Sequence, residues 1–506
     1  MTLQDLLHPL EYSLIQGSEQ TEITQVTENS KTAGPGCLFF CRKGKKTSGF
    51  RYLKEILAAK AAAIVCDSLP DQELAMLLNA PVTVVVTADM DEMIRHAANR
   101  FYGSPQTKLT LIGVTGTKGK TTVTSMIYEL LLQMGEQAVL IGTNGVRLCG
   151  EVLETFHTTP PLLSLYGYLF RAVQRHCRYA VIEVSSLAVK QGRIAGLSFN
   201  LGILTNFSPD HIAPGEHESL EEYRMWKERF LSGCRCCILN LDDPWGKELS
   251  RTLPVPVITV SAKDGTDADV RAAQIVPRIG PGFWGSEFLL EGQVSVPISL
   301  AMPGAYNISN AIEAAAAAWW LGASTESLTG MLGTIQVAGR CQVAAQYRGA
   351  WLIVDYAHNE SSMEAVLTMV KEYHPGRILC IFGCGGERSR LRRFGMGKVS
   401  ARLADLTIVT QDNSRREAFS SILGDIMEGI RSERGECVMI PDRREAIRYG
   451  MRMARPGDFI FVFGKGHETY QEINGVRLPF SDVRTIQELQ KETEAMSVEG
   501  NGRNRQ

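Results

Sequence analysis

Short apolar runs and helically spaced apolar positions alternate along this chain in two long series. Leu109 to Val114 is an apolar run, and a glycine-rich loop follows it. Val123, Met126, Ile127, Leu130, Leu131 and Met134 then recur at the spacing of one helix face. Further runs of buried-strand type stand at Ala138–Ile141, Tyr179–Val184, Gly202–Asn206 and Cys237–Leu241. A second series reads Trp351–Asp355, Arg377–Phe382, Leu406–Thr410, Cys437–Ile440 and Phe459–Phe463. Strands alternating with helices predict an α/β fold with parallel sheets covered by helices. Residues 285–300 alternate more like antiparallel strands. The first hundred residues mix short strands and helices, and 103–110 reads as a linker. In open parallel sheets ligands bind beyond the carboxyl ends of the strands. The polar or glycine-rich segments Asp355–His358, Gly383–Gly386, Asp412-Asn413 and Gly464–Glu468 are therefore site candidates by position alone.

Composition narrows the class. The chain has 506 residues, enough for three or four domains. Its 53 Lys and Arg against 55 Asp and Glu leave a net charge of −2, which argues against a globally basic nucleic-acid binder and against an acidic disordered chain. The twelve cysteines are scattered, and Cys234, Cys236 and Cys237 run into an apolar stretch, so they read as reduced buried thiols. The N-terminus shows no signal-peptide pattern, and Ala311–Ala323 is too short to span a bilayer. A cytoplasmic protein without membrane or nucleic-acid partners is expected. The basic run Arg388-Ser-Arg-Leu-Arg-Arg lacks interleaved aromatics and follows a glycine loop, so it reads as a pocket for a small anion.

The sharpest chemical signal is Gly116-Thr117-Lys118-Gly119-Lys120-Thr121-Thr122 between a strand and a helix. Glycines let backbone N–H groups curl around phosphate oxygens, and the helix N-terminus adds partial positive charge. Lys120 would reach the β- and γ-phosphates of ATP and the Thr121 hydroxyl would ligate Mg²⁺. Val114 stands where the strict phosphate-loop pattern has glycine. Glu183 and His211 fall at neighbouring strand ends and suit an oxygen-rich Mg²⁺ shell completed by imidazole.

These residues resemble the Mur ligase family. The resemblance runs in order through Gly116–Thr122, Thr158-Thr159-Pro160, Glu183–Ser186, Thr205–His211, Asn240–Pro244, Gly304–Ala311, Ala338–Arg340, Asp355–His358, Gly383–Ser389, Asp412–Arg415 and Gly464–Gln471. It implies three domains: a UDP-precursor domain over 1–104, a central P-loop-type parallel-sheet ATPase domain over 105–336 and a Rossmann-like amino-acid domain over 337–506. It also implies that Ser30, Thr158, Thr159, Ser185, Gln191 and Arg193 hold a UDP-N-acetylmuramoyl-dipeptide. Asn307, Asn310 and Arg340 match nucleotide-side residues. Glu183 and His211 match Mg²⁺ ligands, and Lys227 falls where the family carries a carbamylated lysine serving a second Mg²⁺. On its own Lys227 would read as a helix-surface lysine. The chain departs from the family at Asn29-Ser30-Lys31, where Asp-Ser-Arg is usual, at Leu187, where His is usual, and at Ser414, where Pro is usual.

The reaction so implied is ATP-dependent amide synthesis in peptidoglycan assembly. A D-glutamate carboxylate attacks the γ-phosphate, and the amine of an incoming diamino acid displaces phosphate from the acyl phosphate. Lys120 and Mg²⁺ would neutralise the meeting of two anions. The same resemblance gives the third substrate to Arg388, Asp412, Asn413, Arg415, Gly464 and Glu468. An arginine there can grip a distal carboxylate in a bidentate clamp, which favours meso-2,6-diaminopimelate over L-lysine. The alternatives are the same reaction with another diamino acid, a folylpolyglutamate- or cyanophycin-type ligase, and a non-catalytic paralogue that binds nucleotide and a muramoyl peptide. A monomer is expected.

Overall fold

The computed structural model of the chain describes residues 1–42, 49–155, 157–209, 212, 216–280 and 282–503, and of 326 and 496–503 only the backbone. Its internal contacts group 1–261 with 313–323 in one unit and 262–312 with 324–506 in another.

The first unit opens with strands β1 (Ser13–Gln16), β2 (Gln25–Thr27), β3 (Cys37–Cys41), β4 (Ala63–Cys66) and β5 (Thr83–Val86), ordered β1-β5-β4-β3-β2. The β3 and β4 strands are buried throughout, as strands covered on both faces must be. The helix Met90–Phe101 seals one face, and Leu162, Leu163 and Tyr166 of a later helix join the same apolar core.

The second sheet of this unit contains β6 (Thr110–Thr115), β7 (Ala138–Gly142), β8 (Gly145–Leu148), β9 (Glu151–Leu153), β10 (Tyr179–Glu183), β11 (Leu201–Leu204), β12 (Cys236–Asn240) and β13 (Val257–Ser261). Their order is β13-β12-β11-β6-β10-β7-β8-β9, parallel from β13 to β7 and antiparallel at β8 and β9. The registers Glu183↔Val114 and Leu204↔Thr115 bring the ends of β10 and β11 to either side of the loop that leaves β6. Gly113 lets the aromatic core close on β6, for a Cβ there would meet Phe230 at 2.5 Å and Phe199 at 2.8 Å. Cys236 and Cys237 in β12 and Cys234 just before it are buried free thiols, and Cys149 is an exposed one.

The second unit begins with the antiparallel strands β14 (Val270–Gly280), β15 (Phe283–Gly292) and β16 (Val296–Leu300), where alternation predicted antiparallel pairing. A six-stranded sheet follows: β17 (Gln342–Tyr347), β18 (Ala350–Asp355), β19 (Ile378–Phe382), β20 (Leu406–Val409), β21 (Cys437–Met439) and β22 (Phe459–Phe463). It is ordered β17-β18-β22-β19-β20-β21 and is parallel except for β17. Because β22 inserts between β18 and β19, the loops leaving β18, β22, β19 and β20 line one edge, the crevice position that such sheets use for ligands. A two-stranded ribbon, β23 (Tyr470–Ile473) with β24 (Val476–Pro479), follows the β22 loop. Among the described residues no helix is long and apolar enough to cross a membrane.

Candidate active site

In the first unit, the loop leaving β6 turns into the helix Lys120–Gln133 through Gly119, whose φ of 86° lies in the left-handed region that favours glycine. Asn206 fixes the loop from the side. Its Oδ1 accepts from Lys118 N at 2.9 Å, and its carbonyl accepts from Thr117 N at 2.9 Å. Thr205 Oγ1 donates to Lys118 O at 2.6 Å, so tightly that a Cβ on Gly116 would stand 1.9 Å from it. Lys120 Nζ donates to Gly116 O at 2.8 Å and to Thr117 O at 3.0 Å. Lys227 Nζ donates to the same Gly116 carbonyl at 2.9 Å. Two ammonium groups 107 positions apart in sequence thus converge on one oxygen. Lys227 is not the surface lysine that the helix Leu220–Ser232 alone would suggest. It is buried, 4.6 Å from the centre of the Tyr223 ring, and the Tyr223 hydroxyl lies 3.2 Å from Thr117 Oγ1.

Glu183 ends β10 fully buried. It accepts from Thr121 Oγ1 at 3.0 Å and Thr143 N at 2.9 Å, and Thr143 Oγ1 lies 3.1 Å from Oε2. Burial pushes its carboxyl up, while the Thr143 N–H, the Lys120 charge and the two hydroxyls pull it back. Gly142 makes this approach possible, since a Cβ there would meet Glu183 Oε1 at 2.2 Å. Thr143, in the turn after β7, is a site residue that the sequence analysis missed; its only signal was a polar pair, Thr143-Asn144, closing a buried strand. Thr122 is buried at the start of the helix behind the loop. His211 lies outside the described residues, as does Asp210 beside it.

The expected precursor contacts gather next to Glu183. Thr158 Oγ1 is 3.0 Å from Thr143 Oγ1, and Thr159 Oγ1 donates to Glu183 O at 2.7 Å and accepts from Ser185 N at 3.1 Å. Arg193 donates to Thr159 O at 2.7 Å and to Gln191 Oε1 at 2.6 Å. Gln191 and Arg193 line a cleft of about 2230 Å³ that also includes Ser30, Glu28, Arg42 and His157. Asn29 accepts from Lys31 N at 3.1 Å, so it caps the Ser30 turn in the way an aspartate would. Beside Leu187, where the family's histidine is absent, His217 is buried with Nε2 2.9 Å from Ser186 Oγ.

In the second unit, Asn307 Nδ2 donates to Pro303 O at 2.8 Å and Asn310 Nδ2 to Asn307 Oδ1 at 3.2 Å, both amides buried. The Arg340 guanidinium lies 5.0 Å from the centre of the Tyr356 ring and opposes the effect of burial, which pushes the Asp355 carboxyl up. Asp412, Asn413, Gly464 and Glu468 meet at the ends of β20 and β22. Asn413 Nδ2 donates to Glu468 Oε2 at 2.8 Å, and a Cβ on Gly464 would be 2.5 Å from Asp412 Oδ2. Arg415 stands in the left-handed region with φ 52°, half-buried, and its Nη1 donates to Gly386 O at 2.7 Å. Ser414 makes this turn without proline, its N donating to Asp412 O at 2.9 Å.

The basic run at 388–393 differs from the expected anion pocket. Arg393 is buried and paired with Glu417 and Asp425, and Arg390 is paired with Asp425. Their charges are spent on carboxylates of the loop after β20 and of the helix Phe419–Glu433, which the linear run does not reveal. Arg388 is exposed at the mouth of the glycine loop.

A glycine loop at a parallel-sheet edge, with two converging lysines and a buried carboxylate, defines a nucleotide-dependent enzyme of phosphate-loop type. Comparison with known proteins sharpens the class. The Mur ligase middle domain matches residues 114–318, the Mur ligase glutamate ligase domain 339–466 and the Mur ligase family catalytic domain 22–102. The chain is 35% identical to a UDP-N-acetylmuramoyl-L-alanyl-D-glutamate–2,6-diaminopimelate ligase of Caldanaerobacter subterraneus subsp. tengcongensis, over 98% of this chain and 100% of that protein. It is 33% identical to the ligase of the same name from Parabacteroides distasonis, over 97% and 99%. A solved structure of a ligase of that name superposes with a TM-score of 0.66 at 28% identity, covering 98% of this chain and 99% of that one. The chain belongs to the Mur ligase family of ATP-dependent ligases.

Proposed function

We propose that this chain joins meso-2,6-diaminopimelate to UDP-N-acetylmuramoyl-L-alanyl-D-glutamate at the expense of ATP, releasing ADP and phosphate. The observation that carries the choice of third substrate is Arg415. Its guanidinium is held by the Gly386 carbonyl of the loop after β19, and its own loop, after β20, carries Asn413, which bonds Glu468. An arginine fixed in this way can clamp the distal carboxylate that L-lysine lacks, and Glu468 can accept from the distal amine.

In this reading the three working parts are 1–104 for the UDP precursor, 105–336 for ATP and 337–506 for the amino acid. Gly116, Thr117, Lys118, Gly119, Lys120, Thr121 and Thr122 surround the ATP phosphates, with Asn307, Asn310 and Arg340 on the nucleotide side. Ser30, Thr158, Thr159, Ser185, Gln191 and Arg193 hold the precursor. Lys120 swings from the Gly116 and Thr117 carbonyls to the phosphate oxygens and offsets the repulsion as the D-glutamate carboxylate approaches. The carboxylate oxygen bonds to the γ-phosphorus as the bond to ADP breaks. The amine then adds to the acyl carbon and expels phosphate, losing its proton to solvent or phosphate.

The buried Glu183 carboxylate beside the Thr121 hydroxyl is a hard-oxygen set that fits Mg²⁺, with His211 as a further ligand. Lys227, whose Nζ lies 2.9 Å from Gly116 O, would fit the second expected site once its neutral amine had added CO₂ and lost a proton, which would turn a cation into an oxygen anion. Bound Mg²⁺ would supply charge neutralisation on the phosphates. The enzyme is read as a cytoplasmic monomer.

The test offers the purified protein the UDP-dipeptide, ATP, Mg²⁺ and either meso-diaminopimelate or L-lysine, and follows phosphate release. Turnover with diaminopimelate is expected; preference for L-lysine overturns the reading of Arg415. Lys120→Ala should lose about 3 kcal/mol of transition-state stabilisation, roughly a hundredfold or more in rate. Near-normal turnover in that variant overturns the phosphate-loop assignment.

A further inference from the structure

Behind the candidate amino-acid pocket lies a cation outside every basic run in the sequence. Lys465 follows Gly464 at the end of β22, and its side chain is 0% exposed. A buried ammonium is costly unless it is paired and hydrogen-bonded, so its partners indicate its role. Nζ donates to Glu468 Oε2 at 2.8 Å and to Asn413 Oδ1 at 3.0 Å. Asn413 Nδ2 donates to the same Glu468 oxygen at 2.8 Å, which closes a triangle of three side chains.

Two consequences follow for the pocket. The Asn413 amide has one orientation, because its Oδ1 also accepts from Glu472 N at 2.9 Å while its Nδ2 faces a carboxylate. Glu468 Oε2 is filled by two donors, and among the described residues Oε1 takes no hydrogen bond. Glu468 therefore presents one oriented acceptor to a ligand.

The charges also balance. Lys465 offsets Glu468, and Arg443 is buried against Asp482 at 2.7 Å with Asp412 at 3.8 Å. A distal end carrying both ammonium and carboxylate leaves this balance unchanged, whereas a lone ammonium adds an uncompensated positive charge in a partly desolvated place.

We propose that Lys465 is a positioning and specificity-determining residue: it locks Asn413 and Glu468 for the distal amine and, by cancelling the Glu468 charge, disfavours substrates whose distal end is a lone ammonium. This rests on the reading of the third substrate given above. The neighbouring Arg415 selects for the carboxylate, and Lys465 selects against the bare amine.

The test compares full-length wild type, Lys465→Met and Glu468→Gln in precursor-dependent phosphate release, with separate KM values for diaminopimelate, ATP and UDP-dipeptide and with L-lysine as competitor. Lys465→Met should raise the KM for diaminopimelate about tenfold to a hundredfold, the worth of a charge-assisted hydrogen bond, and leave the other two KM values within about twofold. It should also narrow the diaminopimelate-to-lysine ratio of kcat/KM. Glu468→Gln should raise the same KM but widen that ratio, and it carries the test if the methionine variant does not fold. An unchanged KM for diaminopimelate in folded Lys465→Met, a parallel rise of all three KM values, or ratios moving the same way in both variants overturns the role of Lys465. Wild-type preference for L-lysine overturns instead the substrate reading, and the charge argument with it.

Discussion

Replacing Thr143 by valine removes one hydroxyl from the Glu183 carboxylate and changes little else. Valine matches threonine in shape, and the Thr143 backbone N–H, 2.9 Å from Glu183 Oε1, stays in place. What is lost is the contact of Oγ1 with Glu183 Oε2 at 3.1 Å and with Thr158 Oγ1 at 3.0 Å. A hydrogen bond to a charged group contributes about 1.5–3 kcal/mol, which corresponds to roughly tenfold to a hundredfold in binding or rate. Loss of an outer partner of a metal-binding carboxylate costs about the same factor in metal affinity or activity. Thr143→Val should therefore raise the Mg²⁺ concentration for half-maximal phosphate release by about tenfold or more, with the KM for diaminopimelate unchanged. The assay is a Mg²⁺ titration at saturating ATP and UDP-dipeptide, with a thermal melt as control. A folded Thr143→Val enzyme with the wild-type Mg²⁺ dependence refutes both the assignment of Glu183 as a metal ligand and the view that Thr143 orients it.

Arg415→Ala should raise the KM for diaminopimelate by about a hundredfold while the KM for ATP stays within about twofold, because the guanidinium is held by Gly386 O beside the Asn413–Glu468 pair. Steady-state phosphate release with each substrate varied in turn checks this. The second unit should also lose stability in acid through His467, whose imidazole is held down to about 4 from 6.5 by burial and by the Arg340 and Lys465 charges. The unfolded chain takes up this proton first. The contribution is therefore complete above pH 6.5 and is lost as the pH falls through 4; a shift of this size corresponds to about 3 kcal/mol. Urea unfolding at pH 7 and pH 4.5 should show a smaller acid loss in His467→Gln than in wild type, and equal losses would exclude His467 as a source of acid lability.

Local chemistry made part of this site legible in the sequence. The glycine loop between β6 and the helix Lys120–Gln133 could be read because its glycines and its place between strand and helix are properties of consecutive residues, and Gly119 takes up the left-handed backbone that such a turn requires. Parallel strands could be read from their unbroken apolar runs, which placed the loops after β18, β19, β20 and β22 at one sheet edge. Charge could not be read in the same way. The run 388–393 looks like a cationic pocket, yet Arg390 and Arg393 are neutralised by Asp425 and Glu417, more than twenty positions downstream. Lys227 looked like an ordinary helix-surface lysine and nothing in the sequence singled out Lys465 or Arg443, yet all three are buried and face candidate site residues. The difference is energetic: a desolvated cation persists only where the fold brings carboxylates or carbonyls to it, and that pairing depends on strand order rather than on sequence neighbours. A net charge of −2 therefore argues against a globally basic surface while leaving room for buried cations, each fixed by the carboxylate or carbonyl that the fold brings to it.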